Sequence, residues 1–510
     1  MNRDITLDEI QQFEGKYPKQ LWSLFFSEMW ERFCFYGMRG MLTFFMVNQL
    51  MMPEKDANLQ YGATQAFVYA FTFIGGLFAD KILGFRKSLF WGGLLMIIGS
   101  IILAIDPTKF FFLGISFNII GTGFFKPNIS TMVGALYKNG DVRRDAGFSL
   151  FYSGINIGAL LGGYACIAIG KGNLLGGVVP EHLRWNVAFS LAAVVMTISL
   201  VTFVFTRKSM GPIGLSPIQT HNEDGSPAPS KKWYEYVVYL GALAVVPLIM
   251  MMVKDTQYTD WFMYIIGPFS LIYLFYEMSK HSSSEVKKLI AALLFIIFSV
   301  VFWAIFEQAG GSLSLFAANN LNNEMLGGLI TLDPNGVNNA ANSLFVIVFA
   351  PIVGIIWIMM AKRKIEPNTV VKFGLGFLFL GLAFYTFYAT KFFANVQGIA
   401  SLDVFTVAYF VVTLGELCLS PIGLSIMTKL SPARLQGIMM GMWFLASAYG
   451  QYVAGLFGAS IVSDVANATP LDKLNSYTEG YKQFALYAII AGVLLIVISP
   501  FMRKLMQEVK

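Results

Sequence analysis

The chain has 510 residues, of which 56% are hydrophobic and only 13% charged. Soluble proteins carry about 25% charged residues, and here apolar runs of about 20 residues, enough to cross a hydrocarbon core of roughly 30 Å, recur from end to end. A soluble protein is thereby excluded, and the net charge of +6 does not point to nucleic acid, because the basic residues sit at the ends of apolar runs rather than in a cluster interleaved with aromatics.

The N-terminal stretch up to residue 20 is polar and lacks the apolar core of a signal peptide. The first helix is expected to insert uncleaved and leave the N-terminus in the cytoplasm. Fourteen membrane segments are read along the chain. Six lie near 21–50, 60–82, 88–105, 110–137, 146–169 and 185–206. A polar stretch at 207–232, with the run HNEDGSPAPSKK, reads as a flexible cytoplasmic linker. Two more segments lie near 233–253 and 257–279. The last six lie near 285–318, 341–361, 370–390, 403–428, 436–461 and 480–502. The expected organisation is an N-terminal six-helix bundle (1–206), the linker (207–232), an extra hairpin (233–280) and a C-terminal six-helix bundle (281–510).

Loop charge tests this topology. With the N-terminus inside, 25 of the 36 lysines and arginines fall at cytoplasmic ends, 8 in outer loops and 3 inside helices. Basic residues favour the cytoplasmic side, so an even number of spans with both termini inside is expected. Basic clusters also end the second segment (GGLFADKILGFRK, 75–87) and the tenth (MMAKRK, 359–364), matching places in two repeated halves. Cys34, Cys166 and Cys418 lie within apolar runs and read as packing residues.

Charges inside apolar helices are costly and usually functional. The first segment carries Glu28, Glu31, Arg32 and Arg39 within EMWERFCFYGMR. At about 100° per residue, positions 28, 31, 32, 35, 36 and 39 share a face of roughly 140°, which must meet a wet interior. The plainer alternative is a Glu28–Arg32 ion pair that only tightens the bundle. The fourth segment contains GTGFFKPNIS, where Lys126 precedes Pro127. A proline kink beside a buried cation reads as a site, with a snorkelling lysine as the alternative. Tyr152 and Asn156 lie one turn apart in the fifth segment. Further on come Trp303, Glu307 and Gln308, then Asn342, then Glu416 and Ser420 in GELCLSP, then Trp443.

The three histidines, His182, His221 and His281, all lie in loops, so any proton handling falls to carboxylates. No phosphate-cradling GxxxxGK[ST] run and no metal-ligand spacing occurs. No nucleophile cluster for an intramembrane enzyme is found among the buried polar residues. The expectation is a non-enzyme that needs no cofactor and draws energy from a gradient or from the substrate itself.

These residues resemble a known family. The run 28–37, EMWERFCFYG, is similar to the ExxERFxYYG signature of the bacterial proton-dependent oligopeptide transporters. The run 75–87 resembles the conserved loop of the major facilitator superfamily. GTGFFKPNIS, FYSGINIGAL, WAIFEQAGGSLSLF, TLGELCLSPIGLS and GMWFLA follow in the family's order. The resemblance implies an all-α major facilitator fold of fourteen transmembrane helices, in two six-helix bundles plus the extra hairpin. It implies a multi-pass protein of the bacterial inner membrane, acting as a monomer, that imports di- and tripeptides and peptide-like drugs with protons. The alternative is the same fold carrying another small anionic or zwitterionic solute or drug.

Residue roles follow from the same resemblance. Arg32, Tyr36 and Lys126 would hold the peptide carboxylate, and Asn156, Asn342 and Glu416 its ammonium. Tyr69, Ser420 and Trp443 would line the pocket. Glu28, Glu31, Arg32 and Glu307 would couple the proton, and Arg39 with Glu307 would close the outer gate. A zwitterion needs a pole of each sign, and the two halves supply one each. One departure stands out: Phe35 occupies the place of the first tyrosine of the family pattern, so a hydroxyl is lost there.

Overall fold

The computed structural model describes residues 5–138, 140–217, 233–419, 423–463, 465 and 467–507. Among these, fourteen long helices follow one another: α1 (Lys19–Asn48), α2 (Glu54–Phe78), α3 (Phe85–Ile105), α4 (Phe111–Ala135), α5 (Arg143–Gly170), α6 (Arg184–Thr206), α7 (Trp233–Lys254), α8 (Thr256–Met278), α9 (Ser283–Phe306), α10 (Pro334–Lys362), α11 (Thr369–Ala389), α12 (Leu402–Leu419), α13 (Gln436–Ser460) and α14 (Pro470–Met506). Eleven helical stretches are long and apolar enough to cross a membrane. The other three, α1, α4 and α13, have 30, 25 and 25 residues, long enough to span but more polar. They carry the Glu28–Arg32 run, Lys126 and Trp443 respectively.

Helix starts follow local chemistry. Asp255, Ser282, Asp333, Asn368 and Thr469 each cap the helix that follows by accepting a backbone N–H. The box formed by Thr469 and Asp472, with Pro470 in the first turn, starts α14 at Pro470 rather than near 480. The expected segment at 285–318 is broken: a tight turn at Glu307–Gly310 separates α9 from a short helix, Ser312–Asn320. Part of the expected linker is docked. The Arg86 amide donates to the Gly214 carbonyl at 3.0 Å, and the Ser216 hydroxyl to the Ile82 carbonyl at 2.7 Å. Residues 218–232 lie outside the described residues.

The chain forms two compact units. The first comprises Met1–Met41 and Phe67–Lys254. Its helices approach through small residues, as is usual where lipid removes the hydrophobic drive for association. Gly154, Gly158 and Gly162 form a stripe along α5 against α1. A Cβ at Gly158 would lie 2.0 Å from the Met29 carbonyl oxygen, and one at Gly162 would lie 2.1 Å from that of Phe33. This contact fixes the helix turn that carries Arg32.

The second unit comprises Leu42–Ala66 and Asp255–Lys510. Its core is aromatic: Phe295, Phe302, Phe316, Phe377, Phe387, Phe405, Tyr477 and Tyr481 are all fully buried. The last turns of α1 and the first turns of α2 belong to this unit. Glu54 accepts from Lys473 Nζ at 2.5 Å and from the Tyr477 hydroxyl at 2.5 Å. A Cβ at Gly62 would meet the Gly455 Cα at 2.7 Å.

Candidate functional site

In the first unit the signature run folds into a buried ion cluster. Glu28 and Arg32 are one turn apart and Glu31 is adjacent, so α1 itself places two carboxylates on one guanidinium. Arg32 Nε lies 2.5 Å from Glu31 Oε2 and 3.1 Å from Glu28 Oε1. Their relative exposures are 2%, 0% and 3%. Two carboxylates against one guanidinium leave an excess negative charge, which is expensive in a buried setting unless a proton or a further cation offsets it. Glu28 Oε2 and Glu31 Oε1 are buried with no hydrogen-bond partner among the described residues.

A further cation, Lys126 on α4, reaches the same Phe35 ring as Arg32. Its ammonium lies 4.3 Å from the centroid of the Tyr69 ring and 5.9 Å from that of Phe35. The Arg32 guanidinium carbon lies 5.2 Å from the same Phe35 ring. Such distances are within cation–π range. Phe35 therefore presents one ring to two cations on different helices. The sequence revealed the lost hydroxyl but not this use of the ring. Tyr36 packs edge-on against Phe35, at 5.2 Å between centroids, and lies under the Arg39 guanidinium at 5.7 Å. Glu28, Glu31, Arg32, Tyr36, Tyr69 and Lys126 are thus brought together. Asn156 sits on α5 and donates to the Tyr152 carbonyl of its own helix at 3.0 Å.

The second unit holds a separate polar pair. Asn342 on α10 donates to Glu416 Oε2 on α12 at 2.9 Å and to the Thr413 hydroxyl at 3.2 Å. Thr413 in turn donates to the Tyr409 carbonyl. Thr413 was not singled out in the sequence, although its place one turn before Glu416 was a usable signal. Trp443, 7% exposed, lies against Gly423, where a Cβ would meet its ring at 2.5 Å. Ser420 lies outside the described residues.

Glu307 is buried at the break after α9. The break is pinned on several sides. Asn338 donates to the Ala309 carbonyl at 2.7 Å and accepts from the Tyr409 hydroxyl at 2.6 Å. Gln308 donates to the Ala454 carbonyl at 3.0 Å, and the Thr43 hydroxyl donates to the Gly310 carbonyl. Glu307 therefore sits where α9 ends and the chain tightens into a single 3-10 turn, held by contacts from other helices.

The first unit can present positive charge beside titratable carboxylates. The second presents a carboxylate oriented by an amide.

Comparison with known proteins identifies the family. A family model described as "POT family" matches residues 86–474. The chain is 32% identical over 509 residues to the peptide transporter YePEPT of Yersinia enterocolitica, covering 96% of this chain and 95% of that one. It is 31% identical over 513 residues to a di-/tripeptide transporter of Lactococcus lactis subsp. cremoris, covering 97% of each. It superimposes with a TM-score of 0.79 on a crystal structure of a peptide transporter POT mutant in complex with alafosfalin, at 32% identity and covering 99% of this chain and 100% of that one. The all-α architecture of fourteen helices is therefore the major facilitator fold of these transporters, and the chain belongs to the POT family.

Proposed function

We propose that this chain is a proton-coupled symporter that imports di- and tripeptides by alternating access. The observation that carries the reading is the buried Glu28–Glu31–Arg32 cluster, with Lys126 on the same Phe35 ring as Arg32. Lys126, Arg32 and Tyr36 hold the peptide carboxylate; charge-assisted hydrogen bonds there contribute roughly 1.5–3 kcal/mol each. A carboxylate arriving beside Lys126 competes with Glu28 and Glu31 for positive charge, which favours protonating one of them. Peptide and proton then neutralise the site together. Asn156, Asn342 and Glu416 hold the peptide ammonium, with Tyr69, Ser420 and Trp443 lining the site. Apolar walls accept varied side chains, so specificity rests on the two termini.

Similarity to proteins named for peptide transport supports the substrate class. The positive bias of one set of loops supports an inner-membrane location with both termini cytoplasmic. We take the working unit to be the monomer. The test of substrate class is competition in proteoliposomes. Unlabelled di- and tripeptides should suppress uptake of a labelled dipeptide, and single amino acids should not. Equal suppression by a single amino acid would overturn the assignment.

A further inference from the structure

A cavity of about 330 Å³ opens in the first unit where α3 begins, α6 ends and α7 begins. Its lining is cationic: Arg86, Lys87, Arg207 and Lys208. Its remaining walls are the rings of Phe90, Phe203 and Tyr239 and the segment Gly214–Ser216. One carboxylate is engaged there, Glu235, which binds Lys87 at 2.6 Å. Arg86 spends Nε and Nη2 on the Ile213 and Gly211 carbonyls, which hold its guanidinium in place. Arg207 and Lys208 are exposed, at the C-terminal end of α6, where a helix itself attracts cations. The outward faces beside the cavity are apolar and open, with Phe205 81% exposed and Leu240 66% exposed.

We infer that this cavity binds the phosphate diester of an anionic membrane lipid. Among the described residues, three positive charges remain in the lining after Glu235 is matched with Lys87, a surplus that calls for an anion. Loop basicity alone would account for cations scattered at helix ends. It does not account for a concave site between three helices, with an arginine held by two backbone carbonyls and aromatic rings in its wall. Basic pockets of this kind between transmembrane helices suit lipid head groups. The aromatic walls and the adjoining lipid-facing surface favour a phosphate that brings acyl chains over one that is free in solution. The bound lipid would clamp α7, which Lys87–Glu235 and the Trp91–Tyr239 ring pair at 4.8 Å already tie to α3.

The test uses the full chain in nanodiscs of phosphatidylcholine, with or without phosphatidylglycerol. Phosphatidylglycerol should raise the melting temperature and should be retained on the released protein in native mass spectrometry. The double variant Arg207→Gln, Lys208→Gln should keep the parent's melting temperature in pure phosphatidylcholine. Its phosphatidylglycerol retention should fall roughly 30-fold, from about 1 kcal/mol per basic residue. Retention equal to the parent's would overturn the proposal. So would equal stabilisation of the parent in phosphatidylcholine by inorganic phosphate, which would make this a site for a soluble anion. Should the double variant fail to fold, retention on the unaltered protein decides: no preference for phosphatidylglycerol over phosphatidylcholine contradicts the assignment.

Discussion

Asn342 on α10 donates a hydrogen bond to Glu416 on α12 at 2.9 Å, joining two residues 74 positions apart in the chain. The amide orients the carboxylate and shares its second hydrogen with Thr413. Replacing Glu416 with Gln keeps the shape and removes the charge. Binding of a free dipeptide should weaken by about 10- to 100-fold, as expected for one charge-assisted contact. An N-acetylated dipeptide should distinguish parent from variant much less. Equal losses for both ligands would assign Glu416 a structural or protonic role. Competition binding on the purified variants reads the difference.

Lys126→Ala should weaken dipeptide binding by roughly one to two orders of magnitude. The cation held between the Tyr69 and Phe35 rings is lost. Amidating the peptide's C-terminus in the parent should reproduce most of that loss, and combining the two changes should add little. Fully additive losses would place the carboxylate elsewhere.

Glu31→Gln should uncouple transport from the proton. Gradient-driven accumulation should fall to near background, while peptide exchange at equal pH on both sides persists. The reason is that Glu31 Oε2 lies on Arg32 while Oε1 has no hydrogen-bond partner among the described residues. Loss of exchange together with accumulation, in a variant that folds normally, would make Glu31 structural.

How far the sequence reached depends on the kind of interaction. The ion cluster on α1 was legible because charges in an apolar helix are conspicuous and their spacing follows from helix geometry. The pairing of Asn342 with Glu416 was not, since it depends on how α10 packs on α12. The same holds for Phe35, whose second cation arrives from α4. The turn at Glu307–Gly310 interrupts what read as one apolar segment. It is maintained by Gln308 within it and by Asn338 and Thr43, which are remote from it in the chain, so the contacts depend on packing that the sequence does not display. The early starts of α2 and α14 escaped hydropathy because their outer turns are polar and are held by Glu54, Lys473 and the Thr469 cap.

The resemblance assigns Arg39 and Glu307 to one outer gate, and a charge swap tests it. Arg39→Glu should abolish uptake by facing like charges, and adding Glu307→Arg should restore part of it. A double variant no better than either single, at normal expression, would remove the gate from the account.

Packing makes a separate prediction. Gly158→Ala would put a methyl group 2.0 Å from the Met29 carbonyl oxygen. Stability should fall by about 1–3 kcal/mol, the usual cost of overpacking, read as a lower melting temperature in detergent. Arg32 rides on the same turn, so dipeptide affinity should fall with it.

The central claim is coupling of peptide to proton. It is tested most directly by uptake of a labelled dipeptide into proteoliposomes under an imposed pH gradient. Coupled transport accumulates the dipeptide above its external concentration when the outside is acidic, and that accumulation collapses when a protonophore is added. Undiminished accumulation without any gradient would contradict it.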